Sequence, residues 1–168
     1  MSRAFVKEND LEHAGIDIPE RPVSSLSNYV TPFGYRELEK KIIELELIRQ
    51  NYIDSEDVSI IQKKMRAERD LRYFASRFNS AILVDPSKQP KDLILFSAKV
   101  DVLTESEENL TFEIVGEDES DIQKNKISYA SPLAKSLIGH RLNDEVVWSK
   151  PSGDTVLFVS KIYYDNNK

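Results

Sequence analysis

Three carboxylates, Asp54, Glu56 and Asp57, fall within four residues where one helical pattern ends and another begins. Asp54 or Ser55 can cap the second helix, and Glu56 and Asp57 then sit in its first turn, where negative charge is favoured. Arg66, Arg69 and Arg77 share a face of that helix with Tyr73. Such a stripe suits contact with RNA phosphates or an acidic protein wall. The alternative is a solvated face paired with Glu39 and Glu46 of the first helix, and that reading is preferred. Ser131 followed by Pro132 is a capping hydroxyl with proline at the first helical position. His140 has no serine or aspartate arrangement beside it that makes a triad. Cysteine is absent and the only other histidine is His13, which excludes thiol catalysis, cysteine zinc sites and a multi-histidine metal site. Neither a P-loop nor a dinucleotide fingerprint is present.

The elements that must position these residues follow from periodicity. Residues 1–30 read as an extended leader, broken by Pro19, Pro22 and serines. It is either a tail or an arm that docks through Phe5, Val6, Ile16, Ile18 and Tyr29. Thr31-Pro32 starts a helix. Tyr35, Leu38, Ile42, Leu45 and, after a gap at Arg49, Tyr52 recur three and four apart, the spacing of a coiled-coil seam. Ile43 and Leu47 fall on another face and need a second cover. A second helix runs from about Glu56 to Ser80, with a seam of Ile60, Ala67, Leu71, Phe74 and Phe78, interrupted by Lys64. A short connection makes the two helices antiparallel neighbours, so residues 31–81 form a helical hairpin. From residue 82 to 168 the period changes to two. Strands are expected at Ile82–Val84, Leu93–Leu103, Leu110–Val115, Lys126–Tyr129, Glu145–Trp148 and Val156–Tyr164, with one short helix after Ser131. The fold class is α+β: a helical hairpin, then a small antiparallel sheet domain.

The chain has 168 residues, a formal net charge of −6 and no apolar run long enough to span a membrane. Residues 32–81 carry 10 basic and 9 acidic groups, and residues 82–168 carry 10 and 15. Overall acidity argues against strong non-specific duplex DNA binding and favours a protein partner with basic surfaces. The absence of cysteine and of a signal peptide fits a cytoplasmic protein.

Between Glu113 and Gly139 the chain reads IVGEDESD, then IS, then SPLA and LIG. In order and spacing this resembles the C-terminal domain of the bacterial Gre transcript-cleavage factors. The leader strings MSRAFVKE, PERP and NYVTPFG resemble that of a subgroup of Gre-like proteins. The resemblance implies an FKBP-like sheet domain and a partner, the bacterial RNA polymerase core, whose secondary channel the hairpin enters. It implies that tip acids help hold a Mg²⁺ shared with the polymerase, with Asp54 and Asp57 as ligand candidates and Glu56 beside them. That ion activates water for cleavage of backtracked RNA, so the chain is not itself an enzyme, and nascent RNA is a possible contact. It also implies that Ser131, Pro132 and Leu133 meet a polymerase coiled coil. The family's run at the tip, like GDLKEN, is missing. Against the family pattern the stretch from Thr31 to Phe96 is about sixteen residues short, which removes about 12 Å of reach at ~1.5 Å per residue when split over two helices. The resemblance therefore leaves two outcomes, a cleavage stimulator and a non-cleaving channel-binding regulator that competes with longer Gre factors.

Overall fold

The computed structural model describes residues 18–51 and 57–165. The leader residues Phe5, Val6 and Ile16, together with Tyr52, Asp54, Ser55 and Glu56, lie outside the described residues. The chain divides into two compact units, one of residues 1–24 with 40–77, the other of 25–39 with 78–168.

Two long helices, α1 (Pro32–Asn51) and α2 (Val58–Asn79), form where the seam spacing predicts them. Thr31 caps α1 by accepting the Gly34 N–H on Oγ1 at 3.0 Å. The seam positions are the covered ones: Leu38, Leu45 and Ala67 are buried, and Ile42, Ile60 and Leu71 are half-buried. Lys64 lies half-buried among them, its stem covered as a long cationic side chain allows. Tyr35 stacks on Phe78 with centroids 4.7 Å apart, and Leu45 and Ile48 line one depression with Lys63, Arg66 and Ala67. Early α1 thus meets late α2 and late α1 meets early α2, which is the antiparallel arrangement. Ile43 and Leu47 remain 57% and 53% exposed.

The second unit is built on a five-stranded sheet of β3 (Lys99–Thr104), β4 (Asn109–Val115), β5 (Lys126–Ser128), β6 (Glu145–Trp148) and β7 (Thr155–Tyr163). Its order is β5-β4-β3-β7-β6. Alternation puts Val100 and Val102 of β3, Val146 of β6, and Leu157 and Val159 of β7 inside. The short helix α3 (Pro132–Leu137) adds Leu133, Ala134 and Leu137 to the same core. Trp148 is half-buried and meets Phe112 edge-on at 6.5 Å.

Two features depart from the expectations. The sheet is antiparallel except for one pair, because β5 runs parallel to β4, Glu113 facing Lys126 and Val115 facing Ser128. The connection through Glu117–Glu119 and Ile122–Lys124, two 3-10 turns, brings the chain back beside its own start. The strand expected from Leu93 begins only at Lys99. Ser97 takes φ 70°, a left-handed conformation that breaks an extended run. Before that break the backbone exchanges bonds with residues after α3 instead: Ile94 N–H donates to the His140 carbonyl and Gly139 N–H to the Ile94 carbonyl.

Residues 25–30 follow the docking-arm alternative. They form β1 (Tyr29–Val30), which pairs in parallel with β2 (Ile82–Leu83). Tyr29 packs against Phe96 and Tyr129, with ring centroids 5.9 and 5.6 Å away. The Tyr129 hydroxyl donates to the Ser27 carbonyl at 2.5 Å. A Cβ at Gly116 would stand 2.7 Å from the Tyr29 carbonyl oxygen, so only glycine lets this backbone approach.

Candidate functional site

The residues singled out by chemistry fall into three groups, each inside one unit. At the start of α2, Asp57 is exposed and caps the helix. Its Oδ1 accepts the Ser59 N–H at 2.7 Å, and its carbonyl accepts the N–H groups of Ile60 and Ile61. The helix therefore starts at a later cap than Asp54 or Ser55. The bond to the Ser59 side chain, then that to its backbone N–H, holds the Asp57 carboxyl below the usual aspartate range. An ionised carboxylate at a helix N-terminus suits a cap, since the backbone there carries unmatched N–H groups. Among the described residues no group of three or more acidic or histidine side chains converges as a metal site.

The arginine face of α2 divides. Arg66 is exposed and borders an open depression of about 270 Å³ with Lys63, Asp70, Leu45, Ile48 and Ala67. Arg69 is half-buried and donates through Nε (3.0 Å) and Nη2 (2.8 Å) to Asp70. Arg77 is only 1% exposed, so its guanidinium faces protein and the solvent-facing stripe is reduced to Arg66 and Arg69. The acidic partners are nearer in sequence than Glu39 and Glu46: Asp70 serves Arg69, and Glu46 pairs with Arg49 of its own helix at 2.6 Å. Arg72, which the sequence reading passed over, bonds Glu20.

In the second unit Ser131 caps α3 by accepting the Ala134 N–H at 3.2 Å, and Pro132 occupies the first helical position. Ser131 is half-buried and Pro132 exposed, so both present atoms to solvent. Leu133 is 6% exposed and belongs to the core. A surface on this loop therefore consists of the cap and the proline, with Leu133 holding them from beneath.

The acidic run before β5 contributes a residue whose role was not visible in the spacing. The side chain of Glu119 is 5% exposed. Its Oε2 accepts the Thr31 hydroxyl at 2.5 Å, and its Oε1 accepts Lys126 Nζ at 2.9 Å. Thr31 thus donates to Glu119 while it caps α1. Gly34 makes room, because a Cβ there would lie 2.6 Å from Glu119 Oε2. Only Gly34, a glycine in the first turn of a helix, could have pointed to a close approach.

The described chain thus holds a pair of long antiparallel helices and a mixed five-stranded sheet that carries one short helix and an acidic crossover. The family described as "Transcription elongation factor, GreA/GreB, C-term" matches residues 89–164. Transcription elongation factor GreB of Neisseria meningitidis serogroup B is 33% identical over 153 residues, covering 82% of this chain and 94% of the relative. GreB of Yersinia pestis is 32% identical over 153 residues, covering 82% and 90%. The solved GreA/GreB factor from Nitrosomonas europaea is 24% identical with a TM-score of 0.42, covering 82% of this chain and 99% of that one. The chain belongs to the GreA/GreB family of transcription elongation factors. No helix among the described residues is long and apolar enough to cross a membrane.

Proposed function

We propose that this chain binds the bacterial RNA polymerase core at its secondary channel, through the α1–α2 hairpin and the Ser131–Pro132 loop, and modulates elongation. Membership of the GreA/GreB family over nearly the whole length of a curated relative carries this reading. The polymerase supplies the catalytic centre, and the chain acts on it without being an enzyme. Its place of action is the cytoplasm. In the first form of the reading, Asp54 and Asp57, with Glu56 beside them, help hold a Mg²⁺ shared with the polymerase, and cleavage of backtracked RNA is stimulated. Arg66 and Arg69 then face nascent RNA or the channel wall.

A second form is favoured by two observations. The described carboxylate at the turn, Asp57, is engaged as a helix cap. The GreB alignment spans 153 positions but draws on 82% of 168 residues, about 138, so about 15 positions of the relative have no counterpart here. In this form the chain occupies the channel without delivering the metal and competes with longer Gre factors. One assay separates the two. On backtracked polymerase with magnesium, stimulated RNA shortening that Asp54→Ala or Asp57→Ala abolishes supports the first form. Unchanged shortening alone, with inhibition of cleavage by a longer Gre factor, supports the second. Failure to capture polymerase core in a pull-down rejects both.

A further inference from the structure

We propose that α2 carries a binding site for a guanidinium group, filled in cis by the chain's own Arg21 and open in trans to an arginine that follows an acidic residue on a partner peptide. The Arg21 guanidinium carbon lies 3.8 Å from the Tyr73 ring centroid and 4.9 Å from that of Phe74. Those rings stand at 84° to each other, 5.2 Å apart, and make a floor and a wall. Asp70 closes the third side, its Oδ1 3.6 Å from Arg21 Nη1, and Arg69 fixes that carboxylate with two bonds. A flat aromatic face beside a carboxylate selects a planar, delocalised cation over an ammonium group. Next along the helix, Arg72 takes the Glu20 carboxylate through Nε and Nη2. The surface thus reads two consecutive side chains, an acid and an arginine.

The occupant is held lightly. The Arg21 side chain is 35% exposed, and those of Glu20 and Arg72 are 62% and 59% exposed. Exposed ion pairs of this kind are weak and screened by salt, which makes the plug exchangeable. Pro19 and Pro22 bracket the pair, fix two φ angles and remove two N–H donors, so the segment presents its side chains without joining a backbone ladder. Asp70 also borders the depression floored by Leu45, Ile48 and Ala67, which leaves room for the rest of a ligand peptide.

The test uses the full-length chain and a capped peptide of its residues 18–24, with no polymerase present, so its outcome is separate from the channel reading. Tyr73 and Phe74 ring signals are followed by NMR. The Arg21→Ala chain is expected to bind the peptide saturably, with a dissociation constant on the order of a millimolar. The wild-type chain, already plugged, should bind at least about tenfold more weakly. Adding Asp70→Asn to Arg21→Ala should remove binding, and a peptide with lysine for the arginine should lose several-fold. Equal binding by wild type and Arg21→Ala, or equal binding of the lysine peptide, overturns the proposal. An Arg21→Lys chain provides a second background that keeps the charge, and in it the arginine peptide should again bind better than in wild type.

Discussion

Replacing Gly34 by alanine is expected to destabilise the sheet unit, although alanine is the better helix former. The new Cβ would stand 2.6 Å from Glu119 Oε2, 3.4 Å from Glu119 Cδ and 3.5 Å from Thr31 Oγ1. The carboxylate must retreat, yet it is tied at 2.5 Å to Thr31 and at 2.9 Å to Lys126. Losing one hydrogen bond to a buried charge costs roughly 1.5–3 kcal/mol. The helix gains up to about 1 kcal/mol from alanine, so the net loss is about 0.5–2 kcal/mol. Truncating the acid reverses the sign. In a Glu119→Ala background the alanine has space, and Gly34→Ala should stabilise by up to about 1 kcal/mol, a coupling of roughly 1.5–3 kcal/mol. Urea unfolding followed by fluorescence of Trp148, the sole tryptophan, reads this in the sheet. Stabilisation by Gly34→Ala in the wild-type background, or the same change in both backgrounds, would refute the reasoning.

Tyr164→Phe removes a hydroxyl that donates to the Leu93 carbonyl at 2.6 Å and accepts the Leu95 N–H at 3.0 Å, and should lower stability by about 1–3 kcal/mol in the same urea assay. Asp57 contributes to stability above its unfolded pKa, and because its folded pKa is depressed, that contribution is lost as pH falls through the folded value. Asp57→Asn keeps a capping acceptor without the titration, so its helical circular dichroism should decline less on acidification than wild type, whereas Asp57→Ala should lose helix already at neutral pH. Gly116→Ala forces a Cβ into the Tyr29 carbonyl at 2.7 Å and should speed hydrogen exchange of the Ile82 and Val84 amides, which bond Asn28 and Val30.

The helices were legible because burial of a seam leaves a three-and-four spacing that few other constraints imitate. The same periodicity could not tell which polar residue on a face would rotate under cover, so Arg77 looked like a surface cation and is buried. Leu133 looked like part of a contact loop, but the first inward position of a capped helix belongs to the core beneath it. Alternation placed Val100 and Val102 correctly and overran backwards to Leu93, because a single left-handed residue, Ser97, leaves no mark in hydropathy. The candidate turn acids were legible as charges, whereas the cap at Asp57 depends on where the helix actually begins. The pairing of Tyr29–Val30 with Ile82–Leu83, and the clasp from Glu119 to Thr31, join residues more than fifty apart. Nothing local announces such contacts.

That first pairing has a consequence for how this chain can vary. Because Tyr29 lies against Ile82, the chain just before α1 and the chain just after α2 are held side by side within the sheet unit. Closing a loop grows costlier only with the logarithm of its length, so adding some sixteen residues between Tyr29 and Ile82 would raise the closure cost by only about 0.2–0.3 kcal/mol. Paired insertions could therefore lengthen α1 and α2 in register while the pairing of β1 with β2 stayed as it is.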